Sequence, residues 1–518
     1  MNYVGTARPI HDAKGKATGY TKYAGDLSLP NMAYLCMLHS KIPHGYVKAV
    51  HAEKALALPG VYGVYHCLNT SERKYNRYRS SFDQAYLANE ERAFNQYVRF
   101  VGDKIGAVAA CDQETAEKAA RLVEVEYEEL PFSIGFDDTF AGKNCLDGET
   151  PVRDEYTLEV GKKQESTEGL IEVCSTMELP RLHHATMETH ACIADYDPYI
   201  DMLTVYCPNQ AVHGIRTVLA DFLEMPESHV RVVKATMGGS FGAKQEWFLE
   251  PVTALVAKKL CRPVKLVYSR GEAMTDTIVR GAMRMSTRGY YTPDGEMKKI
   301  YCDVTLDAGA YIGNAGDYVR ALAGKPTRCY RIPYMHYHGQ VISSNSPVSG
   351  AFRSWSAAEE ALMMERQLDA AAEKLGMDRL AIRLKNVARS GEEDKKLHLS
   401  LEDIRIGDAI TLGSEKFGWD KLKAEDAAFN ASQQRYRRGV GIGIGGHGNT
   451  YFPRFNDYGA GSISLNADGS MQANFTLHDH GCGTVTAMRM IAAEVLKVPE
   501  DKIYMTEGDT AVTPIDYG

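Results

Sequence analysis

Apolar residues recur along the chain with two periods that alternate from one end to the other. Spacings of three or four residues, typical of helices, end before Pro226 and again before Gly376. The apolar faces of these two predicted helices are Val212, Ile215, Leu219 and Phe222, and Ala361, Met364, Leu368, Ala371 and Leu375. Further helices are predicted over 246–260 and 486–496, and strands over 105–111, 229–235 and 263–268. The alternation predicts an α/β (α+β) fold.

The same patterns divide the chain into four parts. Residues 1–133 form one α/β unit, and the acidic stretch over 134–175, rich in small residues, is interpreted as a linker. Residues 176–410 form a larger α/β unit. Residues 411–518 hold a connector and the start of a third unit, which reaches Gly518 with too few elements to close a domain. The last two units share the order strand, glycine loop, helix, which suggests related domains.

Composition narrows the functional classes. Of the 518 residues 44% are hydrophobic and 24% charged, which is ordinary for a globular protein. The net charge of −8 argues against nucleic acid, and no apolar run is long enough to span a bilayer. The start of the chain lacks a signal-peptide pattern, so a cytoplasmic location is expected. None of the eleven cysteines forms a Cys-x-x-Cys pair, which disfavours an iron–sulfur cluster in this chain.

The strongest local motif is a glycine loop over 238–244 (GGSFGAK), between a predicted strand and a predicted helix. Glycines let a backbone turn sharply and approach a ligand closely. A helix N-terminus at the end of such a loop would offer N–H groups to an anion such as a phosphate. The spacing matches neither a Walker loop nor Gly-x-Gly-x-x-Gly. The residues alone leave a ligand loop and a structural turn equally open.

Other motifs are weaker. Residues 441–446 (GIGIGG) match Gly-x-Gly-x-x-Gly, but the alternation of Gly and Ile is more typical of a strand, so no dinucleotide site is predicted. Residues 481–483 open a predicted helix and offer a second candidate anion-facing turn. No group of histidines and cysteines has metal-ligand spacing, so His183, His184, His190, His478 and His480 are interpreted as structural.

Several motifs taken together resemble the large subunit of the xanthine dehydrogenase and aldehyde oxidase family, in family order over essentially the whole chain. Residues 19–26, 58–61, 100–103 and 125–131 resemble its N-terminal hammerhead domain. Met187, Glu188, Gln210 and residues 238–244 and 350–353 resemble its first molybdopterin-binding domain, and 481–483 and 508–510 the opening of its second. The resemblance implies a hammerhead α/β domain followed by two molybdopterin-binding α/β domains, the second incomplete.

The resemblance also implies a cofactor and partners. The cofactor would be a molybdenum held through the dithiolene of molybdopterin, in mononucleotide or cytosine dinucleotide form, with no protein side chain on the metal. Such enzymes hydroxylate an electron-poor carbon with oxygen from water, the metal acting as Lewis acid and source of the nucleophile. Electrons would then pass to iron–sulfur and FAD cofactors on partner subunits, which agrees with the lack of paired cysteines here.

Five residues carry over from the family to the cofactor site. Gln210 matches a catalytic glutamine near the metal's oxo group, where its amide would donate a hydrogen bond to developing charge. Gly239, Phe241, Gly242 and Arg353 match backbone contacts to the cofactor. The family also implies a glutamate as catalytic base, which has no counterpart in this chain.

The substrate positions depart from the family pattern. Gln245 stands where purine-oxidising members of animal type have a glutamate, and Trp355 stands where an aromatic residue packs on the substrate ring. Arg320 matches, with one inserted residue, an arginine that polarises a purine. In the second domain Cys482 replaces a glutamine that contacts the cofactor. Ser354 occupies the place of the copper-linked cysteine of carbon monoxide dehydrogenase, which argues against that activity.

The sequence therefore predicts the molybdenum-binding subunit of an enzyme that hydroxylates a purine such as xanthine or hypoxanthine. The same chemistry on another N-heterocycle or an aldehyde stays open, as does an inactive fragment with an assembly role. Family members continue well beyond the position of Gly518, so we expect residues 1–518 alone to be inactive. Whether a second chain carries the rest of the cofactor domain stays open.

Overall fold

The computed structural model describes residues 3–78, 89–141, 146, 150–163, 166–432, 435–448 and 459–516. Helices and strands alternate throughout, which confirms the mixed α/β fold. The first part of the chain contains α1 (Ala13–Thr18), β1 (Ala33–His39), β2 (Gly45–His51), α2 (Glu53–Leu56), β3 (Val61–His66), β4 (Lys74–Tyr75), β5 (Glu91–Arg92), β6 (Tyr97–Val98), β7 (Lys104–Ala110), α3 (Gln113–Ala120), β8 (Glu124–Glu129) and α4 (Phe136–Phe140).

The middle of the chain carries most of the regular structure. Its elements are β9 (Val152–Gly161), β10 (Ile171–Leu179), β11 (Ala191–Asp197), β12 (Met202–Cys207), α5 (Val212–Leu223), β13 (Val230–Lys234), α6 (Glu250–Leu260), β14 (Val264–Val267), α7 (Arg270–Asp276), β15 (Ala282–Tyr291), β16 (Met297–Asp307), α8 (Ala315–Ala323), α9 (Pro326–Cys329), β17 (Tyr334–Ile342), α10 (Ala357–Leu375) and α11 (Arg379–Asn386).

The last part of the chain is more sparsely structured. It contains β18 (Glu393–Asp394), β19 (Leu399–Ser400), α12 (Ile406–Phe417), α13 (Trp419–Ser432), β20 (Gly461–Leu465), β21 (Met471–Phe475), α14 (Thr484–Leu496) and β22 (Ile503–Glu507). None of the helices in the described ranges is both long and apolar enough to cross a membrane.

The strongly periodic predictions are confirmed. The apolar stripes become α5, α10 and α14, and the apolar runs become β7, β13 and β14. The helix predicted from residue 246 begins later, at Glu250, with Pro251 in its first turn. Proline fits that position because its fixed φ suits the helix and its missing N–H has no partner to lose there.

A seven-stranded mixed sheet joins the two units predicted at 1–133 and 176–410. Its order is β13-β12-β11-β14-β1-β7-β3. The junction is the parallel pair of β1 and β14, where Ala33 lies opposite Val264 and Leu35 opposite Leu266. All four of these residues are at most 1% exposed, so the apolar core also runs across the junction. A smaller sheet, β6-β2-β8, completes the N-terminal unit.

A five-stranded sheet, ordered β10-β15-β16-β17-β9, forms the second core with α8 and α10. Its two edge strands, β9 and β10, begin inside the stretch over 134–175 that is interpreted from the sequence as a linker, so that interpretation is wrong. In β9 the side chains of Tyr156, Leu158 and Val160 pack toward the core, while Glu155 and Glu159 are exposed. The alternation of polar and apolar residues over 155–160 is the period of two of a half-buried strand, although the surrounding stretch is acidic and rich in small residues.

The third unit repeats a piece of the second. β21, α14 and the parallel strand β22 follow the same order as β12, α5 and the parallel strand β13. Both helices end on a left-handed residue, Glu224 with φ 55° and Lys497 with φ 57°. In both, a proline then starts a short 3-10 turn, at Glu227–His229 and Glu500–Lys502. The shared order noted in the sequence is thus a shared supersecondary unit.

Residues 441–446 do not form the expected strand. They have no regular secondary structure and lie along the unit over 176–410. Ile444 packs against the core beneath α10, and a Cβ on Gly446 would lie 2.5 Å from Sγ of Cys329. The glycines therefore permit close packing of an extended segment.

A buried charge network ties the N-terminal unit to the rest. The Arg77 guanidinium makes a bidentate ion pair with Glu91, and their side chains are 1% and 2% exposed. Lys104 lies 3.8 Å from the Glu91 carboxylate and 3.3 Å from that of Asp276 on α7. Burial raises the pKa of Asp276, but Lys104 and its hydrogen-bond donors outweigh burial and hold it at about 2. Asp276 is therefore charged, and its charge is matched across the junction.

We expect Arg77→Met to lower the free energy of unfolding by about 3–5 kcal/mol, because it leaves the Glu91 carboxylate buried without its bidentate partner. The matched control is Lys54→Met, which removes an ion pair with Glu124 whose side chains are 69% and 66% exposed. That variant should change stability by about 1 kcal/mol or less. Urea unfolding of both variants measures the contrast, and equal losses would contradict a special role for the buried network.

Candidate active site

The glycine loop over 238–244 leaves the end of β13 and does not run straight into a helix. Five residues separate Lys244 from the start of α6 at Glu250, and that helix has proline in its first turn. The helix N-terminus expected to face an anion at the end of the loop is therefore not there. The loop is irregular backbone, held by side chains and by a neighbouring segment.

Backbone conformation explains the glycines of this loop. Gly239 and Gly242 have φ of 92° and 100°, and a Cβ on Gly242 would lie 2.5 Å from the carbonyl oxygen of Ala351. Phe241 is also left-handed, with φ 53°, and the residue is 48% exposed. Left-handed backbone at a residue other than glycine costs on the order of 1–3 kcal/mol. The surroundings must therefore stabilise this conformation.

Glu188 supplies part of that stabilisation. Its Oε2 accepts hydrogen bonds from the N–H of Gly238 at 2.6 Å and from Nζ of Lys244 at 2.5 Å, one near each end of the loop. The Lys244 side chain is 1% exposed. Burial lowers the pKa of Lys244, although the carboxylate of Glu188 opposes the shift. The Glu188 carboxylate thus links the two ends of the glycine loop.

Gln210 is bound to the same loop from the other side. Its Oε1 accepts a hydrogen bond from Oγ of Ser240, and its N–H donates to the carbonyl of Lys244 at 2.9 Å. Nδ1 of His478, from the third unit, donates to the Gln210 carbonyl at 2.8 Å. The side-chain amide Nε2 makes no hydrogen bond among the described residues. A fixed amide donor is therefore left for a ligand.

The segment over 350–356 forms the adjoining wall. The N–H of Arg353 donates to the carbonyl of Phe241 at 2.8 Å, and Nε2 of His184 donates to the carbonyl of Ala351 at 2.8 Å. Burial lowers the pKa of His184 to about 4, so its ring is neutral at pH 7. The Arg353 side chain is exposed. Gln210, Gly239, Phe241, Gly242 and Arg353 are thus brought together from three separate parts of the chain.

The third unit contributes at one edge. Cys482 is exposed, with its Sγ 2.9 Å from Oγ1 of Thr484. The carboxylate of Asp479 accepts from the N–H groups of Gly481, Gly483 and Val485. Burial raises the pKa of Asp479, but these donors outweigh it and hold the pKa below its usual range. The turn over 481–483 is therefore already filled by an anion of this chain and is not an open anion site.

The three substrate candidates are placed differently. Gln245 is half-buried at the end of the glycine loop, and the Trp355 ring packs edge-on against Tyr318, with 5.6 Å between ring centroids. Arg320 makes a bidentate ion pair with Asp154 on β9, with NH2 2.9 Å from Oδ1. Its charge is already matched by that carboxylate.

Glu246, next to Gln245 in sequence, points into the interior. It is 1% exposed, and its Oε1 accepts from Nδ2 of Asn314 at 3.3 Å behind Gly350. Burial raises the pKa of Glu246 to about 8, although Arg77 opposes the shift. The carboxyl is protonated at neutral pH, so it does not serve as a base in the site.

The sequence does not point to the supporting roles of His478 and Asp479, and it marks Ser240 only as a member of the glycine loop. His478 is among the histidines interpreted there as structural. No cluster of three or more potential metal ligands occurs within the described ranges. A signal exists for Asp479, which precedes a glycine turn at the start of a predicted helix, as a capping residue does. No periodicity signals the contact between His478 and Gln210, 268 residues apart.

Comparison with known families matches three models in order. Residues 18–131 match the aldehyde oxidase and xanthine dehydrogenase a/b hammerhead domain, and residues 149–387 and 412–518 each match a molybdopterin cofactor-binding domain. The xanthine dehydrogenase molybdenum-binding subunit of Escherichia coli O157:H7 is 29% identical over 98% of this chain and 68% of its own length. A probable xanthine dehydrogenase subunit of Bacillus subtilis is 32% identical over 99% of this chain and 67% of its own.

Other similar proteins are named after different substrates. The carbon monoxide dehydrogenase large chain of Hydrogenophaga pseudoflava is 29% identical over 96% of this chain and 66% of its own. Quinoline 2-oxidoreductase from Pseudomonas putida 86 has a TM-score of 0.88 at 23% identity, over 98% of this chain and 66% of that one. The latter match speaks for the fold alone. The chain spans about two thirds of the length of these relatives.

We expect Gly242→Ala to destabilise the protein and displace the glycine loop, because the added Cβ would meet the carbonyl of Ala351 at 2.5 Å and φ is 100°. A left-handed backbone costs a substituted residue about 1–2 kcal/mol before the clash is counted. Gly441→Ala is the control, since nothing lies within 4 Å of its added Cβ. Thermal unfolding that shifts equally in both variants would contradict the close approach.

Proposed function

The chain belongs to the xanthine dehydrogenase and aldehyde oxidase family of molybdopterin-binding subunits, and we propose that it binds the molybdenum cofactor of an enzyme that hydroxylates a purine at an electron-poor carbon. One observation carries the proposal: Gln210 is fixed by Ser240 and Lys244 with its amide donor unused, beside backbone that only glycine permits. When bound, the cofactor supplies Lewis-acid and redox chemistry.

The residues present fit such a cofactor. The unused amide of Gln210 offers a donor, and the loop at Gly239, Phe241 and Gly242 offers backbone with no Cβ at its two turns. The exposed Arg353 supplies a cation beside this loop. Cys482 lies at the edge contributed by the third unit. No side chain of this chain is required on the metal itself.

The roles of the chain's own groups follow from geometry. Gln210 orients a ligand and donates a hydrogen bond where negative charge develops, and it needs no reorganisation because its Oε1 and backbone are already held. His478 and the Glu188–Lys244 pair keep that geometry. Gln245 and Trp355 would contact the substrate, the first by hydrogen bonding and the second by ring packing.

The purine as substrate is the narrower part of the proposal. It is supported by the two xanthine dehydrogenase relatives named above, and it is weakened by Gln245 in place of a glutamate and by the ion pair of Arg320 with Asp154. Another N-heterocycle is the second candidate, favoured by a half-buried tryptophan at the site. We further propose that electrons leave toward iron–sulfur and FAD cofactors on partner subunits, and that the complete enzyme is cytoplasmic.

The direct test is to purify the complete enzyme containing this chain and to measure molybdenum and pterin content. Initial rates are then compared for hypoxanthine, xanthine, nicotinate, quinoline and an aromatic aldehyde with an artificial electron acceptor. Molybdenum with turnover of purines supports the full proposal. Molybdenum with turnover of another substrate class rejects the purine and keeps the family chemistry. Protein that binds no molybdenum overturns the proposal.

We expect Gln210→Ala to lower kcat about a hundredfold or more, because a preorganised donor to developing charge is worth roughly 3 kcal/mol. Gln210→Glu should act similarly, since it keeps the acceptor for Ser240 but removes the amide donor. KM should change little, and molybdenum content should not fall. Gln340→Ala, on the remote strand β17, is the matched control. A raised KM with unchanged kcat would reject the donor role.

A further inference from the structure

The segment that carries Trp355 has an unusual backbone. Ser354, Trp355 and Ser356 are consecutive and all left-handed, with φ of 74°, 22° and 65°. None of them is glycine, and each such residue costs on the order of 1–3 kcal/mol. Ser356 is also the N-cap of α10, yet its side chain makes no capping hydrogen bond to the helix. The local sequence does not favour this shape, so other groups must impose it.

Two cations hold the carbonyl groups of this segment. Nζ of Lys325 donates to the carbonyl of Trp355 and, at 2.8 Å, to Oγ of Ser356. NH2 of Arg280 donates to the carbonyl of Arg353 at 3.2 Å. The Arg280 guanidinium also lies 4.2 Å above the Phe352 ring. Lys325 is at the start of α9 and Arg280 just precedes β15. The segment is therefore hydrogen-bonded to two separate elements.

Two buried carboxyl groups lie in the same region, and one of them is paired with Arg280. Glu359 and Glu360 are both 0% exposed in the first turn of α10. Nε of Arg280 lies 2.9 Å from Oε1 of Glu359. Burial lowers the pKa of Lys325 to about 8, with Glu360 and Glu359 opposing the shift, and burial raises the pKa of Glu360 to about 8, with Lys325 opposing it. The Glu360 carboxyl makes no hydrogen bond to the described residues and is protonated at neutral pH.

Stability alone does not explain this cluster. Removing ions from water costs several kcal/mol for each, and a buried ion pair is often no more stable than apolar residues of the same volume. The two cations lie beside the segment whose conformation is strained, and both donate to its carbonyls. Their geometry accounts for the backbone shape and, through it, for the direction of the Trp355 ring, which also rests on Tyr318.

We propose that Lys325 and Arg280, the latter paired with the buried Glu359, are positioning residues that fix the Trp355 ring and thereby set the shape of the substrate site. The role of Trp355 toward substrate rests on the proposed function, whereas its fixation by the two cations does not. Substrates that pack on the Trp355 ring should therefore lose affinity when the hydrogen bonds from Lys325 and Arg280 to this segment are removed. Neither cation needs to touch the substrate for this effect.

The test uses the full chain and the double variant Lys325→Met/Glu360→Gln, which removes the hydrogen bonds to the segment without leaving an unpaired buried charge. The chain has three tryptophans, so the Trp355 signal is taken as the difference from the same protein carrying Trp355→Phe. We expect the Trp355 emission of the double variant to shift to longer wavelength and its quenching by acrylamide to increase. The other two tryptophans should be unchanged.

The matched control is Lys395→Met. Lys395 is also a lysine that donates to loop carbonyls, those of Ile332 at 2.8 Å and Pro333 at 3.2 Å, but far along the chain from Trp355. It should leave the Trp355 signal unchanged. If the double variant lowers the melting temperature while the Trp355 emission and quenching stay as in the parent, the cluster is structural only and the proposal is overturned.

Kinetics of the complete enzyme separate this inference from the proposed function. We expect the double variant to raise KM for a ring substrate up to about tenfold with a smaller change in kcat, since the loss of an aromatic ring contact changes affinity by up to about that factor. Lys325→Arg should restore part of the loss, because it can donate to the same carbonyl. A changed Trp355 signal with unchanged KM keeps the fixation of the ring but refutes its role in substrate binding.

Discussion

The close approach of Gly242 to the carbonyl of Ala351 is the contact on which the candidate site depends. One segment leaves the seven-stranded sheet and the other leads into α10, and they meet at a distance that admits no side chain. The hydrogen bond from Arg353 to Phe241 adds to the same contact. Because Ser240 and Lys244 also bind Gln210, any shift of the loop would move the glutamine with it. The glycine loop and the segment over 350–356 are therefore expected to move as one unit.

Much of the fold could be predicted from the sequence, and the reason is physical. α5, α10 and α14 have apolar faces long enough for their period to stand out, and β7 is buried on every residue. β9 is not predicted because its alternation of polar and apolar residues is short and lies in a stretch that is otherwise acidic and rich in small residues, as a linker is. Local periodicity does not show which strands pair with each other. The pairing of β1 with β14 in one sheet therefore could not be predicted from the sequence.

The site divides in the same way. Glycines and Gln210 could be found because motifs of the family mark them, and the structure brings them together. The hydrogen bond from Lys325 to the carbonyl of Trp355 could not be predicted, because a lysine that donates to a backbone carbonyl 30 residues away produces no pattern in the sequence. Arg320 shows the converse: its place in the family motif suggests a role toward substrate, yet it pairs with Asp154 on β9, a strand that is not predicted from the sequence.

The parallel pairing of β1 with β14 also matters while the chain is being made. β1 ends at His39, but its partner on one side ends only at Val267, so that side remains an open strand edge during synthesis of the intervening residues. At about 5–20 residues per second, the ribosome needs on the order of ten to fifty seconds for that stretch. An unpaired edge next to apolar surface invites pairing with other chains. Closure of the seven-stranded sheet at this junction therefore waits until residue 267 has emerged.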